Sequence, residues 1–479
     1  MLSAFQTVEI HTLIVVGFTI RILLRDGMLP SSRMAWFMVI ATVPFLGAAL
    51  YFLFGEVDLG QRARRRHREI LARLRAFAPP EVFATKGADA LPSRHLRQAF
   101  AYAASINGFH PTAGNKARLM PDDRTARNSL IEDIDAARDT VHILYYIWLN
   151  DDTGTRTAQA VIRAAKRGVT CRVMVDGLGS RAFTQSQLWA EMAEAGVDLA
   201  IALSLSRPIR TLLTSRIDLR NHRKITVIDG RVGYCGSQNC ADPEFRVKAR
   251  FAPWVDIMVR VQGPVVAQMQ LLFASDWLKE HNTPIEAFCF HTDPIAGGFV
   301  ASAVGDGPTE RPRASPQMFC TLIETANREL LITTPYFVPD PTVIEALCAA
   351  AYRGVNVSLI LPKHNDSWIV AAASRSYYHK LLQAGAVIWE YRKGLLHSKT
   401  LTIDEQAVFF GSSNLDMRSF DLNYENDMLV EDPALTGAIR ARQMEYIADS
   451  DRVTLDDIAQ WLPARRMWHN AIATIGPVL

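Results

Sequence analysis

Apolar positions follow two different patterns along this chain. Near the N-terminus they run on without interruption: residues 35–54 hold no charged side chain over about twenty positions, the length a helix needs to cross a bilayer. Residues 10–24 form a shorter apolar run with His11 and Arg21 near its ends. The pattern predicts a firm span over 35–54, kinked by Pro44 and Gly47, and a first limb that either spans or re-enters. The turn between them, residues 25–33, is too short for a domain, so both ends of the hairpin are expected on one side of the membrane. A cleaved signal peptide fits the first limb poorly, because no basic stretch precedes it and no small-residue cleavage site follows.

From residue 61 the chain turns basic. Arginine is far denser in residues 61–75 than in the hairpin turn, and the positive-inside bias then puts everything after Gly60 in the cytoplasm. Ile70, Leu71 and Leu74 can share one face beneath these arginines, which predicts a helix resting on the membrane surface. The alternative is that the arginines set topology and are otherwise solvated. Residues 79–115, opening on Pro79-Pro80, read as a linker with one short helix at 96–104.

Farther on, short apolar strands alternate with amphipathic helices, and the alternation repeats. Residues 140–148 are matched by 329–337, and the helix-then-strand run at 161–175 by 346–361. Both runs share Arg-Gly-Val, at Arg167-Gly168-Val169 and Arg353-Gly354-Val355. Each half reads strand, helix, strand, which calls for sheets covered by helices, an α/β architecture. Residues 294–315, rich in Gly, Pro and Ala, mark the passage between halves. Tyr145, Tyr146, Trp148, Tyr336 and Phe337 fall at strand ends, where they either border an acyl-chain entrance or pack in the core. Residues 461–468, with Trp461 and Trp468, are read in the same two ways, as an interfacial or a packed terminal helix.

Composition narrows the class. The 479 residues suffice for two core-forming units, and a formal net charge of +3 excludes a protein broadly coated by nucleic acid. Any basic surface must be local, and one candidate, Arg207, Arg210, Arg216, Arg220 and Arg223, leads straight into His222. It either lines a headgroup entrance or is a solvated loop. Cys171, Cys235, Cys240, Cys289, Cys320 and Cys348 show neither CxxC nor Cys/His ligand spacing. Reduced, mostly buried thiols and no zinc are expected, which favours a cytoplasmic catalytic region.

One phosphate-chemistry pattern occurs twice. His222-x-Lys224-x-x-x-x-Asp229 and His397-x-Lys399-x-x-x-x-Asp404 are each followed at the same offset by Gly-Ser-x-Asn, ending at Asn239 and Asn414 with Ser237 and Ser412 inside. A single chance match has a probability on the order of a few per cent, but two copies with identical downstream spacing do not arise by accident. Read blandly, residues 225–228 and 400–403 are buried strands with a polar entry, which leaves each His and Lys unexplained. In an extended strand residues two apart share a face, so each His and Lys can address one ligand. If the halves pack about a pseudo-twofold axis, two imidazoles and two ammoniums converge on a phosphodiester, with no call for a metal or other cofactor. The lysines neutralise non-bridging oxygens, the Ser and Asn side chains add neutral donors, and one imidazole attacks phosphorus while the other protonates the departing alkoxide. A phosphohistidine keeps the phosphoryl group activated, so an alcohol can replace water as acceptor.

At these residues the chain resembles the phospholipase D superfamily and, within it, the bacterial cardiolipin synthases that have an N-terminal membrane hairpin. The resemblance runs nearly full length and includes the stretch from Asn414 to Glu425. It implies two pseudo-twofold-related halves, each a β-sheet flanked by helices, behind a transmembrane hairpin. The units are then 1–60 (hairpin), 61–114 (basic juxtamembrane helix and linker), 115–293 (first half) and 294–479 (second half). It further implies condensation of two phosphatidylglycerol molecules to cardiolipin with release of glycerol. His222, Lys224, Asp229, His397, Lys399 and Asp404 would be catalytic, one His as nucleophile and the other as general acid. His222 is the favoured nucleophile, although the symmetry of the sequence does not distinguish the two. The resemblance places the carboxylates that orient the imidazoles downstream of the motifs, at Glu425 in the second half and Asp256 in the first. Asp229 and Asp404 end their strands and read equally well as anchors of the turn that follows. The implied partners are phosphatidylglycerol and anionic membrane lipids, in the bacterial inner membrane, multi-pass, with the catalytic region cytoplasmic. Nothing in the sequence marks an oligomer interface.

Two chemical outcomes share these motifs. A transferase passes the phosphatidyl group to a lipid alcohol or another alcohol acceptor, and a phospholipase D-type hydrolase passes it to water. The membrane segment and basic helix suit a lipid in the bilayer. A nuclease is disfavoured by the lack of a broad basic surface or interleaved aromatic platform, and an inert scaffold by two chemically complete motifs.

Overall fold

Runs of β-branched and aliphatic residues form a single mixed sheet whose strand order repeats, mirrored, about its middle. The computed structural model describes residues 4–25, 28, 30–43, 45–55, 60–83, 91–204 and 218–474. The first half contributes β1 (Thr112–Leu119), β2 (Thr140–Tyr145), β3 (Thr170–Asp176), β4 (Asp198–Ala202), β5 (Lys224–Ile228), β6 (Val232–Gly236) and β7 (Met258–Gln262). The second contributes β8 (Phe299–Asp306), β9 (Glu329–Thr333), β10 (Asn356–Pro362), β11 (Val387–Tyr391), β12 (Thr400–Ile403), β13 (Ala407–Gly411), β14 (Asn423–Glu431) and an added edge strand, β15 (Ser450–Val453). Across the sheet the order is β4-β3-β2-β5-β6-β7-β1 and then β8-β14-β13-β12-β9-β10-β11-β15. Apart from β15, each first-half strand therefore has a counterpart seven labels later. β2, β3 and β4 run parallel, as do β9, β10 and β11, while the strands bearing the repeated motif, β5 and β12, run antiparallel to β2 and β9. The halves join edge to edge where β1 meets β8 antiparallel, so neither half leaves an unpaired edge at the joint.

The N-terminal segment departs from the sequence expectation. The unbroken helix is the first limb, α1 (Ala4–Leu23), with mean hydropathy 1.3 over its apolar window and almost none of it covered. Among the described residues it is the one helix long and apolar enough to cross a membrane. The expected firm span is instead divided into α2 (Pro30–Thr42) and α3 (Leu46–Phe54). In one straight helix Trp36 and Tyr51 would lie roughly 22 Å apart, yet their rings meet edge-on at 5.4 Å, and Phe18 of α1 meets Tyr51 at 5.4 Å. The chain doubles back near the expected kink, where Phe45 has φ 60° and Gly47 packs against the Val39 carbonyl so closely that a Cβ would collide with it. Pro44 itself lies outside the described residues.

The basic run forms α4 (Gly60–Phe77), but its apolar face is occupied. Ile70 and Leu74 are buried in one core with a central helix of the first half, and His67 pairs with Glu310 at 2.7 Å. The arginine face remains open while the apolar face does not, which corrects the reading of a helix resting on lipid by that face. The expected linker helix is α5 (Arg97–Asn107), and Leu96, Ala99, Phe100 and Ala103 are buried in the core of the second half. This stretch is thus part of the folded body.

The parallel strands are buried on both faces, which is why they read as continuous apolar runs. Their cover is α6 (Asp123–Ala136), α7 (Asp152–Lys166) and α8 (Val265–Glu280) in the first half, and α9 (Ala314–Thr325), α10 (Pro341–Tyr352) and α11 (Pro433–Ala448) in the second. Asp122, Asp151, Asp340 and Asp432 cap α6, α7, α10 and α11 by accepting first-turn N–H groups. One buried ion pair ties the halves: Arg223 bonds Asp276 of α8 at 2.8 Å and also donates to the Glu425 and Asp306 carbonyls of the second half. Arg223 and Lys279 hold the Asp276 carboxyl well below its ordinary range, against the opposing effect of burial. Arg223→Leu is expected to cost about 3 kcal/mol, read as a lower unfolding temperature in detergent. Arg223→Lys is expected to recover only part, since one ammonium cannot make all three contacts.

Candidate active site

Two short ladders cross between the halves, and they build the site. Arg220–Asn221 pairs in parallel with Asn423–Tyr424 at the start of β14, and Trp254–Val255 pairs in parallel with Leu395–Leu396. The next residue continues each ladder: His222 N–H donates to the Tyr424 carbonyl at 2.9 Å, and His397 N–H to the Val255 carbonyl at 2.8 Å. The residue after each partner strand is a carboxylate. His222 Nδ1 therefore meets Glu425 at 2.8 Å, and His397 Nδ1 meets Asp256 at 2.6 Å. The orienting groups act crosswise, each half supplying the carboxylate for the other half's imidazole, and with Nδ1 engaged each ring keeps Nε2 for chemistry.

The lysines repeat the symmetry. Lys224 Nζ donates to the His222 carbonyl and Lys399 Nζ to the His397 carbonyl, both at 2.7 Å, so each ammonium stays on its histidine's face with N–H groups to spare. Ser237 donates to Asp256 and Ser412 to Glu425, both at 2.5 Å, so these hydroxyls hold carboxylates. Asn239 accepts the Ile147 N–H and lines a small cleft with Asp123, Trp254 and Asp256. Asn414 donates to Ser419, and its Oδ1 is buried with no partner among the described residues. Sequence reasoning missed Ser419 and Asn423, which give Glu425 further hydrogen bonds at 2.9 and 3.0 Å, and Asn426, which accepts the Lys224 N–H at 2.7 Å. They lie in or beside the stretch from Asn414 to Glu425, but nothing in their spacing marks them.

Asp229 and Asp404 lie apart from this cluster, in the places that turn-anchoring carboxylates would take. Each sits at the far end of its motif strand with φ near +50° and accepts three backbone N–H groups: Arg138, Asp139 and Thr140 for Asp229, and Asn327, Arg328 and Glu329 for Asp404. They anchor the turns. The strand-end aromatics divide. Trp148 stacks on Phe183 in the core, whereas Tyr146 lies edge-on to His222 at 4.9 Å and Tyr336 is 6.5 Å from His397. Trp254 is closer still to His397, at 4.6 Å. In the basic run ahead of His222, Arg207, Arg210 and Arg216 lie outside the described residues.

Burial governs the electrostatics. It pushes the His222 imidazole well below 6.5, and Lys224, Lys399 and His397 push the same way. Burial also lowers His397, but there Asp256 opposes it. Lys224 is drawn down to about 7 and Lys399 to about 8 by desolvation, with Glu425 and Asp256 resisting. The carboxylates differ. Burial wins at Glu425 and raises it, while His397, Lys399 and the Ser237 hydrogen bond overcome burial at Asp256 and hold it at about 2. The site is thus a desolvated cluster of basic groups that gains from a bound anion.

Comparison with known proteins agrees with this geometry. The family described as cardiolipin synthase, PLD-like domain, matches residues 130–277 and 319–445, more than half of the chain. The chain belongs to this family. Both crossed pairs fall inside the matched segments of the cardiolipin synthase family, His222 and Asp256 in one, His397 and Glu425 in the other. A second family, phospholipase D-nuclease N-terminal, matches residues 13–56. Cardiolipin synthase A of Proteus mirabilis (strain HI4320) is 35% identical over 464 residues, covering 95% of this chain and 94% of its own. Cardiolipin synthase A of Edwardsiella ictaluri (strain 93-146) is 35% identical over 477 residues, covering 96% and 95%. The crystal structure of phosphatidylserine synthase from Haemophilus influenzae Rd KW20 shares the fold, with TM-score 0.57 at 14% identity over 76% of this chain and 95% of that one.

The division of labour between the two kinds of acidic residue is testable. Asp404→Ala is expected to cost about 2–3 kcal/mol of stability through three orphaned N–H groups, with turnover per folded molecule within about threefold. Asp256→Asn is expected to keep the unfolding temperature within a few degrees and to lower turnover by about a hundredfold or more. Thermal unfolding and turnover measured on the same preparations check both.

Proposed function

We propose that this chain is a cardiolipin synthase, a phosphatidyltransferase that moves the phosphatidyl group of one phosphatidylglycerol to a hydroxyl of a second and releases glycerol. The observation that carries this reading is the pair of crossed His–carboxylate contacts with a lysine beside each, all buried but the half-buried Asp256, in a chain of the cardiolipin synthase family.

The environments favour distinct roles for the two histidines. His222, held neutral by burial and neighbouring cations, suits the nucleophile. His397, against the ionised Asp256, suits the proton carrier. In the first step His222 Nε2 bonds phosphorus, the P–O bond to glycerol breaks, and the alkoxide takes the proton of His397. In the second, the hydroxyl of the acceptor lipid gives its proton back to His397 as its oxygen bonds phosphorus. The P–N bond breaks with its electrons returning to His222. Lys224 and Lys399 stabilise the charge on the non-bridging oxygens throughout. Ser237 and Ser412 set the carboxylates, and Asn239 and Asn414 supply amide donors to phosphate.

The protein is membrane-associated, with α1 as its apolar helix. The arginine face of α4 supports a bacterial inner-membrane enzyme with its catalytic body in the cytoplasm, beyond a membrane segment at 1–60. Residues 61–114 then join that segment to the body, with the catalytic halves at 115–293 and 294–479.

Purified protein reconstituted with phosphatidylglycerol as the sole phospholipid is expected to yield cardiolipin and glycerol in equal amounts by lipid mass analysis. Phosphatidic acid with glycerol and no cardiolipin would make it a hydrolase. His222→Ala is expected to abolish a trapped phosphohistidine, with folding intact. Burial lowers both lysines and the proton-donating His397, so the charges the first step needs are lost early as pH rises: kcat/KM is expected to be falling already through about 7 to 8. The acid limb is expected below 6.5, since His222 stays neutral there. A pH–rate profile in mixed micelles that stayed flat from 7 to 9 would contradict the role of the lysines.

A further inference from the structure

Two exposed segments, one from each half, connect by contacts to the His397 side of the site. One is the turn Arg246–Phe251, where Val247 is 68% exposed and Lys248 reaches Asp366 at 2.5 Å. Asp366 also accepts the Tyr336 hydroxyl at 2.8 Å, and the Tyr336 ring lies 6.5 Å from His397. Two residues beyond Asp366 begins the helix Trp368–Ser376, which packs along the C-terminal helix Pro463–Thr474. Trp368 and Trp468 stack there at 5.7 Å with 62% and 50% of their surfaces exposed, beside Leu462 and Met467 at 72% each.

Two stacked tryptophans in water are costly for a protein, and an aromatic and aliphatic patch of this kind marks a binding surface. Basic side chains accompany it: Arg465 lies over the Trp461 ring at 4.6 Å and Arg466 is exposed, while the Arg246–Phe251 turn carries Arg250 and Lys248, the latter paired with Asp366. Exposed Trp, Leu and Met ringed by Arg and Lys is the chemistry of an anionic lipid interface, where amphipathic rings sit at headgroup depth and cations meet phosphates.

We propose that the stacked Trp368–Trp468 patch and the Arg246–Phe251 turn dock on the surface of an anionic bilayer, so that lipids pass to His397 without leaving the membrane. The proposal rests on the phosphatidyltransferase reading and adds the surface through which substrate arrives. The docked face is linked to His397 through Asp366 and the Tyr336 ring, and none of its residues is among those assigned to the phosphate.

The double variant Trp368→Ser/Trp468→Ser, made in the full-length protein, separates docking from catalysis. On bilayer phosphatidylglycerol vesicles its cardiolipin output is expected to fall about tenfold or more, the loss of roughly two interfacial aromatic contacts. On a short-chain phosphatidylglycerol below its micelle concentration, output is expected to stay within about twofold of wild type. Brominated lipids are expected to quench wild-type tryptophan fluorescence more than that of the variant. Equal loss on both substrates, no loss on either, or equal quenching of wild type and variant would overturn the proposal. A wild type that makes no cardiolipin from either substrate would instead overturn the phosphatidyltransferase reading itself.

Discussion

The site depends on two backbone ladders only two residues long. Because Arg220–Asn221 runs beside Asn423–Tyr424 and Leu395–Leu396 beside Trp254–Val255, each histidine is held by the main chain of the opposite half. Side-chain packing alone would leave the imidazole–carboxylate distance to rotamer choice; the ladders set it through peptide geometry. They also make catalytic competence a property of the joined halves, since separating them would remove the partner of both imidazoles at once.

Around these ladders the protein tolerates charges that are costly to bury. Two lysines, two histidines and two carboxylates are withdrawn from water within one cluster, and none is expendable without stranding another. The serines matter in this light: Ser237 and Ser412 each hold the carboxylate of their own half and so keep it aimed across the joint. The near symmetry is broken in the second shell of contacts. Glu425 receives Ser419 and Asn423 in addition to Ser412, whereas Asp256 keeps mainly Ser237 and His397, so the two imidazoles experience different counter-charges.

The repeated motif was legible because period-2 strands project His and Lys together, and the α/β class because apolar runs alternated with amphipathic ones. Glu425 and Asp256 were also within reach, but their crossed pairing was not, since ladder partners hundreds of positions apart leave no local signal. Asp229 and Asp404 resemble their neighbours in the motif yet stand at the opposite end of a strand, where a carboxylate satisfies turn N–H groups. The apolar run at 35–54 misled for a related reason: hydropathy counts residues and is blind to a reversal. Trp36, Tyr51 and Gly47 prefer each other's company to a straight path. The face of Ile70 and Leu74 likewise looked free because its cover, α8, lies about two hundred residues away.

That covered face of α4 has a mechanical meaning. With α4 bound into the body, only residues 56–59 lie between it and the end of α3, and the chain from Gly55 to Gly60 can reach no farther than roughly 19 Å. The catalytic body is consequently on a short leash to α3, and wherever that apolar segment rests the body must stay within the same reach. With the N-terminal segment in the bilayer, as proposed above, encounters with lipid would be confined to a thin shell, and lateral diffusion in a two-dimensional pool, measured as surface density, would set how often substrate arrives.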